Sequence, residues 1–203
     1  MTRRVHWPGV RPHRAAQRGL TLIEVLISVV ILLVALLGAA ALLTRSNQSE
    51  MESYQRVQAL TLLQDMVARF NANRQAAACY AITGTMTTVG NGTTTTPPTP
   101  CATGTAAQQA IATTDLAAWG TELLGSAEQK GSGSSVVTLG AMIGARGCIE
   151  VVDSVNQIYR ISVAWQGLTQ TVSSSLPCGS NAFGSDAYRR AISVQVRIGA
   201  LTS

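Results

Sequence analysis

The sequence predicts an α+β protein: one long amino-terminal helix laid on a carboxy-terminal antiparallel sheet. Three observations predict it. Residues 20–43 form an apolar run of 24 residues with a single charge, Glu24. An amphipathic stretch without proline or glycine continues that run to about residue 75. The last 70 or so residues then carry strand-like alternation, clearest in "IYRISVAWQG" and "RAISVQVRIG".

The helix divides by composition. At about 1.5 Å per residue the run 20–43 reaches roughly 36 Å, enough to span a hydrocarbon layer of about 30 Å. Beyond Arg45, apolar residues recur at helical spacing: Met51, Tyr54, Ala59, Leu62, Leu63, Met66, Val67 and Phe70. Gln55, Arg56, Gln58, Gln64 and Asp65 lie between them. Such a stripe is expected to face a core. A single helix over about 20–75 follows, its first half in lipid and its second half on a domain.

Residues 83–104 are rich in Thr, Gly and Pro and read as an exposed loop. "TTDLAAWGTELLGSA" (113–127) reads as a short helix. Thr114 or Asp115 would cap it, with Leu116, Trp119, Leu123 and Leu124 on one face. "EQKGSGSS" is a turn, "SSVVTL" (134–139) a weak strand and "GCIEVV" (147–152) a better one, while the glycines of "LGAMIGARG" are taken as turn residues. Tyr159, Ile161, Val163 and Trp165 form one strand face, and Ile192, Val194, Val196 and Ile198 another. A half-buried sheet fits this alternation, and covering it with the long helix completes the domain.

Charge excludes one class of function. Five of the 15 basic residues (Arg3, Arg4, Arg11, Arg14, Arg18) lie in residues 1–19 without an acid, leaving ten bases against ten acids. The net +5 belongs to this leader, and composition supplies no basic patch for nucleic acid. Arg189 and Arg190 adjoin but read as a solvated strand end. Arginines before an apolar span place residues 1–19 in the cytoplasm and the bulk of the chain across the membrane.

The histidines, His6 and His13, also lie in the leader. A product without it would have no Ser-His-Asp or Cys-His set and no His-ligated zinc. No catalytic, metal or cofactor residues are assigned, and the glycine spacing is not that of a nucleotide loop. Cys79, Cys101, Cys148 and Cys178 all lie on the exported side, where disulfides are the expectation. Three pairings are open. Cys79–Cys101 with Cys148–Cys178 is favoured because it closes the shortest loops, each contributing about 3 kcal/mol.

A carboxylate near the centre of a lipid-spanning helix costs about 2.5–3.5 kcal/mol, so Glu24 calls for a partner. A secretory signal cut after Ala41, or a plain anchor, leaves it unexplained. The run Gly19-Leu20-Thr21-Leu22-Ile23-Glu24-Val25-Leu26 resembles the type IV prepilin signal. The resemblance implies a pilin fold. It also implies cleavage after Gly19 by a prepilin peptidase, methylation of Leu20 as the new amino terminus, and pairing of Glu24 with the terminal amine of a neighbouring subunit. The division is then a leader 1–19, a transmembrane and assembly half-helix 20–44, and a periplasmic domain 45–203. Within that domain the helix continues over 45–75, a loop and short helix follow over 76–133, and the sheet occupies 134–203.

The order of "DLAAW", "YRISVAWQGLTQT" and "CGSNAFGSDAYRRAISVQVRI" is similar to that of the PilV family of minor pilins. That resemblance implies an inner-membrane protein, amino terminus in the cytoplasm, later carried into a pilus. Its partners would be the major pilin, other minor pilins, the inner-membrane assembly platform and a PilY-type tip adhesin, with no cofactor and no nucleic acid. Rivals are a type II secretion pseudopilin and, further off, a direct adhesin or a DNA-uptake pilin.

Overall fold

A computed structural model describes residues 19, 21–81, 84–92, 101–126, 129–131, 137–138 and 142–199. The leader before Gly19, Leu20, the loop segment 93–100, Gly140 and most of "SSVVTL" lie outside the described residues. The chain divides into two compact units, Met1–Ser46 and Asn47–Ser203.

One helix, α1 (Leu22–Ala72), runs through the predicted range. In the second unit its stripe of Ala59, Leu63, Met66 and Phe70 is buried, with Leu62 and Val67 packed beside it. Burying each of the larger side chains contributes about 1.5–3 kcal/mol. Two members of the expected stripe are corrected. Met51 and Tyr54 are exposed, while Gln55 is 2% exposed. At about 3.6 residues per turn the face through Ala59, Leu63 and Phe70 extends back to Gln55, not to Tyr54. A 3₁₀ turn over Arg74–Cys79 ends the helix. Phe70 meets Tyr80 and Tyr159 edge-on, with centroids 5.2 and 5.0 Å away.

The second helix, α2 (Ala106–Leu123), begins earlier than expected. Thr105, not Thr114 or Asp115, is its cap: the Thr105 hydroxyl accepts from the Gln108 N–H, and the Gln108 side chain accepts from the Thr105 N–H. This reciprocal pair satisfies two amide donors, which a cap inside the helix could not do. Ala112, Leu116, Trp119 and Leu123 are buried on one face. Leu124 follows the last helical turn and is exposed, against expectation.

Six strands lie among the described residues. Strand β1 (Thr87–Gly90) lies inside the stretch read as loop. It pairs antiparallel with β4 (Ile143–Asp153), which pairs with β5 (Ile158–Gln166), and that with β6 (Arg189–Arg197). Two short strands, β2 (Gln129–Lys130) and β3 (Val137–Thr138), form a separate ribbon, so "EQKGSGSS" is not wholly a turn.

Gly144 and Gly147 sit within β4 and are not turn residues. A β-carbon on Gly147 would lie 2.4 Å from the Trp119 ring and 2.8 Å from Leu123. The bare backbone lets α2 approach the sheet.

The half-buried sheet is also corrected. Tyr159, Ile161, Val163 and Trp165 join the helix-side core, but Ser162 and Ala164 on the other face are buried as well. Ala164 packs with Cys148, Cys178 and Phe183 under the segment after β5. At the sheet edge, β6 buries Val196, and Ile198 just past its end is buried too, but Ile192 is half-buried and Val194 exposed. Disulfides join Cys79 to Cys101 and Cys148 to Cys178. The first ties the end of the 3₁₀ turn to the approach to α2. The second ties β4 to the segment between β5 and β6.

Candidate assembly site

The candidate site begins at the start of α1. Gly19 and Thr21 are exposed, and Leu20 lies outside the described residues. Glu24 is in the first turn of α1, where a carboxylate also meets the positive end of the helix dipole. It is exposed, and among the described residues its carboxylate has no partner in its own chain. Ser28 donates its hydroxyl to the Glu24 carbonyl at 2.7 Å, keeping that polar group satisfied within the helix.

Around Glu24 the surface is apolar on every side. From Leu22 to Leu43 the large side chains are exposed, Leu36 at 64% and Leu37 at 72% for example. This helix is long and apolar enough to cross a membrane. A helix hydrophobic all round needs lipid or other helices as its surroundings.

In the second unit, a clasp missed by the sequence reading holds α1 to the segment after β5. One oxygen of Glu52, Oε1, accepts from the N–H groups of Leu168 and Thr169, both at 3.1 Å, and from the Thr169 hydroxyl at 2.9 Å. Arg190 donates to the same oxygen at 3.3 Å. Partial burial pushes the Glu52 carboxyl up, but Thr169, Arg190 and Leu168 together hold it below its ordinary value.

Arg189, expected in solvent, is 3% exposed. Its guanidinium donates to the carbonyls of Leu176, Cys178 and Ser174 and to Asp186. A planar cation with several donors can gather carbonyls that no strand pairs. The adjacent arginines thus fasten the same segment from two sides.

A second polar network joins the helices. Arg69 contacts Asp65 and Glu122 at 2.7 Å and Asp115 at 3.8 Å. The Tyr80 hydroxyl donates to Asp115, and burial together with that carboxylate pushes the phenol up. Asn73 donates to the Tyr80 oxygen and to the Gln108 carbonyl. Asp115, expected as a cap, is instead an acceptor in this network.

Comparisons with known proteins agree with this architecture. Residues 41–119 match the family Tt1218-like, described as Type IV pilin Tt1218. Residues 14–40 match the prokaryotic N-terminal methylation motif. No curated protein and no solved structure matches the chain. The two matches adjoin along the long helix, whose first stretch is apolar and whose second lies on the sheet domain. Residues 41–119 are thus similar to a type IV pilin, and residues 14–40 to the methylation motif that prepilins carry. That motif implies processing by prepilin peptidase and assembly with other pilins from the membrane.

Proposed function

We propose that this chain is a minor pilin of the PilV type. It is inserted in the inner membrane with residues 1–19 in the cytoplasm and the domain from residue 45 in the periplasm. The peptidase cuts after Gly19 and methylates Leu20, and the assembly platform extracts the apolar helix into a bundle. There Glu24 meets the amino terminus of a neighbouring subunit. Pairing the two charges offsets much of the cost of burying either, and fixes axial register. With other minor pilins the chain primes a filament of the major pilin and helps to display a PilY-type adhesin at its tip.

One observation carries the reading: a single unpartnered carboxylate at the start of an apolar helix that the folded chain leaves uncovered. Intact mass of the mature protein tests it. Cleavage after Gly19 with one added methyl is expected, and cleavage after Ala41 would remove Glu24 and end the argument. Glu24→Ala is expected to be cleaved normally yet absent from sheared filaments, and wild-type recovery of that variant would sink the pairing mechanism. Low abundance in pilus fractions is expected for the wild type. Recovery only with a secretion pseudopilus would reassign it.

A further inference from the structure

Beside the Glu52 clasp lies an open cavity of about 200 Å³, lined by Ser49, Glu52, Ser53, Arg56, Trp165 and Arg190. Its polar inventory is unbalanced. Arg190 spends its guanidinium on Thr169, Thr171, Ala187 and Glu52. Glu52 and Arg190 therefore neutralise each other and are largely occupied.

The remaining donors are not. Arg56 has no ion pair or hydrogen bond among the described residues, and neither do the hydroxyls of Ser49 and Ser53. Elsewhere in α1, Ser28, Thr44 and Thr61 donate back to the helix backbone, so the two open serines are not following a general habit.

Trp165 is the telling member. It is 3% exposed and is one of the residues that line this cavity. Its indole N–H has no acceptor among the described residues. Trp119, equally buried, donates to the Leu62 carbonyl at 2.9 Å. The Trp165 nitrogen is not one of the fully buried polar atoms left without a partner, so its N–H reaches solvent and is open to an acceptor.

We propose that this cavity binds a single carboxylate, presented by an acidic side chain of a neighbouring subunit. Three kinds of donor line it, guanidinium, indole and hydroxyl, with a net charge of one positive unit, and the matching ligand is a small anion rich in acceptors. A carboxylate takes a charge-assisted bond from Arg56 and has lone pairs left for the indole and the serine hydroxyls. Roughly 200 Å³ admits a side-chain terminus but not a folded element. The lining residues Ser49–Arg56 follow the exposed apolar run along α1, the segment that the assembly reading places against other subunits. The binding of a carboxylate stands on the cavity alone, and its delivery by a subunit rests on the assembly reading.

The test has two arms. The full chain in detergent micelles, labelled at the indole nitrogens, is titrated with sodium acetate at constant ionic strength against sodium chloride. Trp165→Phe identifies the resonance. The Trp165 indole proton is expected to move downfield and saturate with acetate, while the Trp119 signal stays fixed. Arg56→Gln is expected to weaken that response about tenfold. No movement, equal movement in chloride, or an unchanged response in Arg56→Gln would overturn the site.

In cells, Arg56→Glu is expected to reduce incorporation into filaments at least about fivefold, with Arg56→Lys near wild type. Wild-type incorporation of Arg56→Glu would overturn delivery by a subunit. Absence of the wild-type protein itself from filaments would instead break the assembly reading and leave the acetate result standing.

Discussion

The two stretches of α1 on either side of Ser46 have the same backbone and opposite fates. Residues 22–43 carry apolar side chains on every face with Glu24 their single charge, and none of residues 22–46 is buried. Residues 47–72 are more polar, yet Gln55, Ala59, Leu63, Met66 and Phe70 are buried. Hydrophobicity alone therefore does not place a residue in the core of its own chain. Periodicity does. A helix with one apolar stripe can be covered by a sheet and a second helix, whereas a helix apolar all round cannot be covered by one partner. The first stretch is built for surroundings the chain does not itself supply.

The sharpest way to break that contrast is to truncate one large side chain in each region. Trp119→Ala removes the ring that covers Gly147 and the donor to Leu62 O. A loss of about 3–5 kcal/mol is expected in denaturant unfolding of the full chain in detergent, followed by near-UV circular dichroism. Leu33→Ala, in the uncovered stretch, is expected to change the same midpoint by less than about 0.5 kcal/mol. Equal effects would mean that the apolar run contributes to the folded domain.

A smaller effect separates the adjoining arginines. Arg189→Leu leaves the carbonyls of Ser174, Leu176 and Cys178 without their donor and Asp186 without its cation. About 3 kcal/mol should be lost. Arg190→Leu breaks a more exposed clasp, in which Leu168 and Thr169 still hold Glu52, and about 1 kcal/mol is expected. The ratio of the two midpoint shifts checks whether burial sets the difference. Comparable losses would show that the buried guanidinium carries no special share.

These arginines also mark what the sequence could and could not disclose. The long helix, the Leu116–Trp119–Leu123 face and strands β4, β5 and β6 were legible because each rests on local periodicity. The start of α2 was legible too, in the Thr105–Gln108 spacing, but the apolar pattern further on drew attention away from it. Strand β1 was hidden by threonines and glycines that suit a loop equally well. It is a strand because β4 offers it a free edge.

The Glu52 clasp joins residues more than a hundred positions apart, and nothing near Glu52 announces it. Arg189 differs from Arg190 in its burial and in the partners the fold brings to it, neither of which the adjoining sequence announces. The motif from Gly19 to Glu24 was readable for the opposite reason, since its chemistry is addressed to other proteins and is written in consecutive residues.

The smallest effect sharpens the comparison where the second stretch begins. Glu52 is the first residue of α1 past Ser46 seen to grip another part of its own chain. Its carboxyl is held below the ordinary value of 4.5, so the charged form is favoured by folding. The stability it contributes is fully present above that ordinary value and is lost as pH falls through the lower value of the folded state. Glu52→Gln should therefore be less stable than the parent by about 1 kcal/mol at neutral pH, because the carboxylate faces partly into solvent. The gap should hold down to about pH 5 and narrow below pH 4.5, as measured by unfolding midpoints of both proteins across that range. A gap that widens on acidification would mean that the carboxyl binds the segment after β5 as a proton donor and not as an anion.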